Sequence, residues 1–416
     1  MTMTLSEELQ WRGFVNQTTF KDITDLDKET RTFYIGMDPS SDSLQIGNLA
    51  AAMMVRCFID HGYKAIMLVG GATGLIGDPD GKKDERLLKD REEIDKNKAA
   101  IAAQYDRILS GKPFEHVDNY DWFKNMGYLD FLRDVGKYVP MRQMLGREFV
   151  QSRLGEDGAG ISYAEFSYAL IQGYDFLHLY REKGATMQLC GADQWGNSIA
   201  GVELIRRIDG GEAHIWSGPL IVNKSTGVKF GKSEGGAIWL DAAKTTPTQF
   251  YQFWINCDDL GVEDYIKIYT LLGPDEVTEI MARHHENTSQ RYAQTRLAEE
   301  VTRLVHGEEQ LHIAQKVTDI LTGRTPVVEA DDVLDALRSE IHTAKTNTDG
   351  SIIIALVESG LAASNGEARR LISGNAIAVN GQKVSREQFE AADFANDRAL
   401  IRRGKAYKDS ALIEIA

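Results

Sequence analysis

Apolar positions in the first fifth of the chain alternate between short solid runs and longer helical stretches. Phe33-Tyr34-Ile35-Gly36-Met37 predicts a strand, and Asp38-Pro39-Ser40-Ser41-Asp42 after it is turn chemistry. From Gly47 to Asp60 the apolar residues Leu49, Met53, Met54, Cys57 and Phe58 recur at helical spacing. Ala65-Ile66-Met67-Leu68-Val69 is an uninterrupted apolar run stopping at Gly70-Gly71, as a strand buried on both faces requires. Strand, turn, helix and strand in that order predict a βαβ unit.

The pattern then becomes helical. Residues 80–115 are charged and helix-prone, and 129–152 and 163–183 each predict one helix. Residues 184–206 predict a short strand at Met187–Leu189, a glycine turn and a further helix. Helices follow at 248–257, 262–272, 275–286 and 290–306. Arg324-Thr325-Pro326 and Thr343–Gly350 read as linkers. From Ser351 the character changes to two short helices and a strand, Ala376–Val379, ending in an Asn380-Gly381 turn. The expected fold class is α/β, with a Rossmann-like parallel-sheet domain over 1–222 and a loop region over 223–246. A helical domain over 247–325, a linker over 326–350 and a small α+β domain over 351–416 complete the expectation.

A length of 416 residues agrees with two or three domains. The composition, 43% apolar and 26% charged, is that of a globular protein, with no apolar run near the roughly 18 residues of a membrane span. The opening MTMTLSEELQWRGF is acidic and polar-broken and does not read as a secretory signal, so a cytoplasmic location is expected. Cys57, Cys190 and Cys257 are too few and too scattered to suggest a disulfide framework or a zinc site. The net charge of −15 argues against non-specific coating of nucleic acid. From Gly350 onward, however, nine Lys/Arg face eight Asp/Glu, so this segment is slightly basic while the rest of the chain is strongly acidic. That asymmetry points to an RNA-facing C-terminal module.

Two segments carry candidate phosphate chemistry. Gly70–Pro79 is a glycine loop after a strand that lacks the Gly-Lys-Ser/Thr ending of a P-loop, but Lys82, Lys83 and Arg86 lie just beyond it. Three cations beside a glycine turn suit a pyrophosphate leaving group. Lys229-Phe230-Gly231-Lys232-Ser233 places two lysines at i and i+3 around a glycine, a loop able to close on phosphates. Alone, the glycine loop reads equally as a turn opening a helix, and Lys229–Ser233 reads more readily as a solvated lysine turn.

Together they resemble the two signatures of the class I aminoacyl-tRNA synthetases. Gln45-Ile46-Gly47-Asn48 stands at the His-Ile-Gly-His/Asn position, and Lys229–Ser233 at Lys-Met-Ser-Lys-Ser. Longer matches at Tyr34–Pro39, Asp42–Leu44, Leu68–Pro79, Asn119–Trp122, Phe166–Tyr168, Gln172–Phe176, Gly191–Asn197 and Tyr251–Trp254 fit the tyrosyl-tRNA synthetase pattern over nearly all of residues 6–320. The tail, through Glu358–Ala362, Ala368–Asn375 and Val379–Val384, resembles an S4-like RNA-binding domain.

The resemblance implies roles. Tyr34 and Asp175 would meet a phenolic substrate; Asp78, Tyr168 and Gln172 would hold its α-ammonium, with Gln188 and Gln194 completing the tyrosine site. Gly36, Asp38, Gly47, Asn48, Gly191, Asp193 and Lys232 would line the ATP cleft. Lys82, Arg86, Lys229 and Lys232, with Ser40 and Gln45, would act on the phosphates. Arg369, Arg370 and Lys383 would contact tRNA(Tyr) phosphates. ATP is then a substrate carrying Mg2+, with no metal ligands from the protein, and a homodimer through the segment near Phe131–Lys137 is implied.

Gln45 departs from the signature histidine. Its amide can still donate a hydrogen bond, so the cost should fall below the ~2.7–4 kcal/mol of losing a transition-state donor outright. Two other readings share these features: a synthetase-like RNA-binding protein weakened by Gln45, and a tryptophanyl enzyme of the same fold. The intact lysines oppose the first and Tyr34 with Asp175 the second. The pair His284-His285, in a charged helix, reads as a solvated face.

Overall fold

The central sheet forms where the apolar runs predict it. In the computed structural model, which describes residues 3–79, 89–155, 160–233, 236–404 and 409–416, the predicted strands are β2 (Thr32–Met37), β3 (Lys64–Val69) and β5 (Ala185–Gly191). They join β1 (Gln17–Thr18), β4 (Phe114–Asp118) and β6 (His214–Gly218) in the order β1-β6-β5-β2-β3-β4. All pairings are parallel except that of the short edge strand β1. Ile66 and Leu68 are buried, as a strand covered on both faces demands, and each such side chain contributes about 1.5–3 kcal/mol.

From β2 the chain builds outward through β3 and β4, then returns to lay β5 on the other side of β2. That reversal opens a crevice at the carboxyl ends of β2 and β5. The helix Ile46–Asp60 leaves β2, and the helix Tyr163–Lys183 leads into β5. Tyr34, Phe176, Leu177, Leu179, Ala185 and Ile205 share one apolar cluster beneath the crevice.

Several expectations change. The single helix over 129–152 is four short pieces, Tyr128–Asp134, Gly136–Tyr138, Met141–Leu145 and Glu148–Leu154. Gly136, Pro140 and Gly146 interrupt it, although the apolar spacing runs on across them. Within 80–115 the described helix is Arg91–Ile108 alone, with β4 beginning at Phe114. The expected linker 326–350 is ordered: it holds turns of 3-10 helix, the helix Leu334–Glu340 and a strand, His342–Thr346. His284 is buried, 2% exposed, with its Nδ1 unpaired among the described residues, so half of the histidine pair does not face solvent.

The chain divides into two compact units. The first comprises residues 1–244 and 257–297, so helices expected in a separate helical domain cluster with the sheet. Arg12 shows the reason: buried on the helix Leu5–Arg12, it donates to the carbonyls of Lys267 (2.7 Å) and Thr270 (2.9 Å) at the end of the helix Val262–Tyr269. A two-residue ribbon, β7 (Lys232–Ser233) with β8 (Gly236–Ala237), also lies in this unit. The second unit comprises residues 245–256 and 298–416. There the helix Pro247–Ile255 packs on Glu308–Thr322, and Gln252 donates to Thr318 at 2.9 Å. Its sheet runs β11-β10-β12-β13-β9, formed by β9 (His342–Thr346), β10 (Ile377–Val379), β11 (Gln382–Lys383), β12 (Arg398–Arg403) and β13 (Ser410–Ile415).

Candidate active site

The crevice gathers most of the residues singled out in the sequence. Tyr34 and Gln188 are register partners on β2 and β5, and each is nearly fully buried. The Tyr34 hydroxyl and the Gln188 Oε1 have no hydrogen-bond partner among the described residues. Burial, then the charge of Asp175, pushes the Tyr34 hydroxyl well above its ordinary range. Asp175 faces in from the helix Tyr163–Lys183, 2% exposed, and accepts from Asn119 Nδ2 (3.1 Å) and Trp122 Nε1 (2.9 Å). Desolvation raises its carboxyl well above the usual range, against the opposing pull of those two donors. Its oxygens keep room for a further donor.

A second cluster lies at the strand ends. Tyr168, seven residues before Asp175 on one helix face, donates to Asp38 Oδ2 at 2.6 Å, and Thr73 donates to Asp38 Oδ1 at 2.6 Å. Gln194 Nε2 donates to Asp78 Oδ2 at 2.6 Å. Gln172 is partly buried on the helix between Tyr168 and Asp175. Gly36, Ser40, Gly47, Gly191 and Asp193 are at least partly exposed, and Asn48 is partly buried. Gly70 closes the turn after β3: a Cβ there would lie 2.0 Å from Thr73 Oγ1 and 2.4 Å from Asp38 Oδ1.

The two signature segments meet through their backbones. Gln45 is the extended residue before the helix Ile46–Asp60, and its N–H donates to Asn48 Oδ1 at 2.9 Å. It bridges Trp239, and Ile46 N–H donates to the Ile238 carbonyl at 3.3 Å, so residues just after the lysine loop run against the helix start. Gly231 has φ +88°, and a Cβ on it would lie 3.2 Å from Ile46 Cβ. Exposed Lys229 bridges Val222, and Phe230 behind it stacks on Tyr265 with ring centroids 4.1 Å apart. Tyr265 in turn donates to Asp258 Oδ1 at 2.8 Å. The backbone of Lys232 is in β7, its side chain lies outside the described residues, and so do Lys82, Lys83 and Arg86 entirely.

Asn119, Trp122 and Thr73 carried no expected role, yet Asn119 bonds both Thr73 (3.1 Å) and Asp175, and accepts from Ala72 N–H at 2.7 Å. The signal for Asn119 and Trp122 was the match at Asn119–Trp122, which directly succeeds a strand, β4, that the apolar pattern did not reveal, and that for Thr73 was its place in the glycine loop Gly70–Pro79. In the second unit Arg369 and Arg370 are exposed on the helix Asn365–Ser373, and Lys383 is exposed on β11. Arg369 also lines, with Ile354, Asn365 and Arg386, an open cleft of about 610 Å3.

A parallel sheet whose order reverses over a polar crevice, with glycine turns and a basic loop at the strand ends, defines an α/β protein that handles a nucleotide together with a small polar ligand. Residues 26–322 match the family described as tRNA synthetases class I (W and Y), and the chain belongs to that family. Residues 333–408 match the tyrosine--tRNA ligase SYY-like C-terminal domain. Over 97% of its length the chain is 44% identical to the tyrosine--tRNA ligase of Bacillus caldotenax, covering 98% of that protein. Against the enzyme of Bacteroides fragilis the identity is 42%, with the same shares covered. Among solved structures, a C-terminally truncated mitochondrial tyrosyl-tRNA synthetase from Aspergillus nidulans is 27% identical with a TM-score of 0.69, over 77% of this chain and 94% of that one.

Proposed function

We propose that the chain is a tyrosine–tRNA ligase: it joins L-tyrosine to ATP as tyrosyl-adenylate, releasing pyrophosphate, then passes tyrosine to the 3'-terminal adenosine of tRNA(Tyr). The observation that carries this reading is the buried pair of polar atoms without a partner among the described residues, Tyr34 hydroxyl and Gln188 Oε1, beside the carboxyl of Asp175. A buried polar group without a partner costs about 1–3 kcal/mol, which a ligand hydroxyl would recover. A phenol donates to one of these acceptors and accepts from Tyr34; a phenylalanine ring leaves all of them unpaired, a difference worth roughly 10⁴–10⁵ in sites of this kind. An indole N–H can donate but cannot accept, which disfavours tryptophan.

Asp78, Tyr168, Gln172 and Gln194 would hold the amino-acid head group, and Gly36, Asp38, Gly47, Asn48, Gly191 and Asp193 the ATP. The tyrosine carboxylate attacks the α-phosphorus, an O–P bond forms, and the bond to the β-phosphate breaks with its electron pair leaving on pyrophosphate. No protein nucleophile takes part, so positioning and charge do the work. Lys82, Arg86, Lys229 and Lys232 would neutralise the leaving group, with Ser40 and Gln45 as neutral donors. Mg2+ arrives bound to ATP in this reading. The second unit would bind tRNA through Arg369, Arg370 and Lys383. Exposed Tyr128, Leu129 and Met141 on the broken helical segment, with exposed Tyr163 at the start of the helix Tyr163–Lys183, support a homodimer, and a cytoplasmic location belongs to the same reading.

Exchange of labelled pyrophosphate into ATP, run with tyrosine, phenylalanine and tryptophan in parallel, tests this. Exchange with tyrosine alone is expected; none with any of the three would overturn the proposal.

A further inference from the structure

Behind the head-group residues runs a hydrogen-bond chain with a fixed direction. Arg147, just before the helix Glu148–Leu154, donates through Nη1 to Asn197 Oδ1 at 2.6 Å and through Nη2 to the Gly196 carbonyl. Asn197 is 2% exposed, and its Nδ2 donates to Gln194 Oε1 at 3.1 Å. Gln194 Nε2 donates to Asp78 Oδ2 at 2.6 Å. Arg153, at the far end of the same helix, forms a buried pair with Glu165 at 2.9 Å, which holds the helix to the start of Tyr163–Lys183.

Each carboxamide in this chain can turn end for end, exchanging donor for acceptor. The two ends cannot. A guanidinium has only donors and an ionised carboxylate only acceptors, so both ends impose the same sense on Asn197 and Gln194. Without the guanidinium, Asn197 can turn its oxygen toward Gln194. Gln194 then has no donor for its own oxygen, and Asp78 alone orients its amide.

We propose that Arg147 is a positioning residue for tyrosine activation: by donating to Asn197 it holds the Gln194 amide with its NH2 toward Asp78, and so sets the polarity of the wall that receives the amino-acid head group. This rests on the tyrosine reading of the site. Arg147 acts two side chains away from the substrate and takes no part in the chemistry.

Pyrophosphate exchange without tRNA tests it, since no RNA contact of Arg147 can then enter the readout. Arg147→Met, which keeps the aliphatic stem and removes the donors, is expected to raise KM for tyrosine about tenfold, with KM for ATP held within about twofold, the scale of one charge-assisted hydrogen bond. Arg147→Lys, which restores a donor-only cation, should recover most of the loss. Asn197→Asp cannot donate to Gln194, so adding Arg147→Met to it should raise KM for tyrosine no further. If Arg147→Met does not fold, Arg147→Gln, which can donate or accept, replaces it and should fall below Arg147→Lys. An unchanged KM for tyrosine, equal losses in the Met and Lys variants, or parallel rises in both KM values would overturn the proposal. A wild-type chain without tyrosine-dependent exchange would instead overturn the ligase reading beneath it.

Discussion

Tyr34 keeps a hydroxyl in an apolar cluster where nothing among the described residues bonds it. Tyr34→Phe should therefore leave stability unchanged or raise it by up to ~1 kcal/mol, because the variant removes an unpaired donor, while discrimination of tyrosine over phenylalanine falls. Urea melts and parallel exchange assays check the two halves. Asp175 makes a pH-dependent counterpart. Its carboxyl is raised in the folded protein by burial, so the native state binds more protons than the unfolded chain once pH passes the ordinary carboxylate value of ~4. The free protein should lose stability as pH climbs from there toward the raised folded value, and Asp175→Asn should flatten that loss in thermal melts across the range. That Tyr168 and Asp175 share one helix face was legible from their spacing, and the family pattern pointed to both and to Tyr34 on its strand. The roles of Asn119 and Trp122 were not, because β4 (Phe-Glu-His-Val-Asp) is too polar to announce itself as a strand. With no strand to place them, the side chains just beyond its end could not be aimed at the crevice.

The lysine loop is where single residues become an element with two parts. Asn223 N–H donates to the Val228 carbonyl (2.8 Å) and Phe230 N–H to Ile221 (2.9 Å), closing a hairpin whose base Tyr265 grips by stacking on Phe230. Lys229 thus stands on an anchored hairpin, while Lys232 comes after Gly231 on a two-residue ribbon. Tyr265→Ala, which frees Phe230, should slow exchange about tenfold with little change in KM for tyrosine, the pattern of a lost transition-state contact. Gly231→Ala should do the same through strain at φ +88° and crowding on Ile46, costing about 1 kcal/mol in melts. Periodicity exposed the long helices well. It failed over 129–152, where apolar spacing crosses three breaks, and at β9, where His-Thr-Ala-Lys-Thr buries Ala344 alone and shows no alternation to read.

At the scale of the molecule, catalysis and tRNA recognition should separate. Replacing Arg369, Arg370 and Lys383 by alanine should weaken tRNA binding and lower the salt slope of log K by about 1 per lost phosphate contact, leaving pyrophosphate exchange intact. Filter binding at several salt concentrations beside the exchange assay checks both. The α/β class and the basic tail could be read from the sequence, since both are local properties of composition and pattern. The division into units could not be read that way: it follows from long-range contacts such as those of Arg12 with carbonyls more than 250 positions away, and no window along the chain contains them.

The same division bears on how the chain is made. The sheet-bearing unit draws on residues 257–297, with a segment belonging to the other unit, 245–256, threaded between. A ribosome that has finished every strand of the central sheet by Gly218 has therefore not yet supplied the acceptors for Arg12 or the ring that holds Phe230. At about 5–20 residues per second, a further ~4–16 s passes before position 297 is added. During that interval the nascent sheet waits with its closing helices missing, and chaperone occupancy of stalled chains should drop between lengths bracketing those helices.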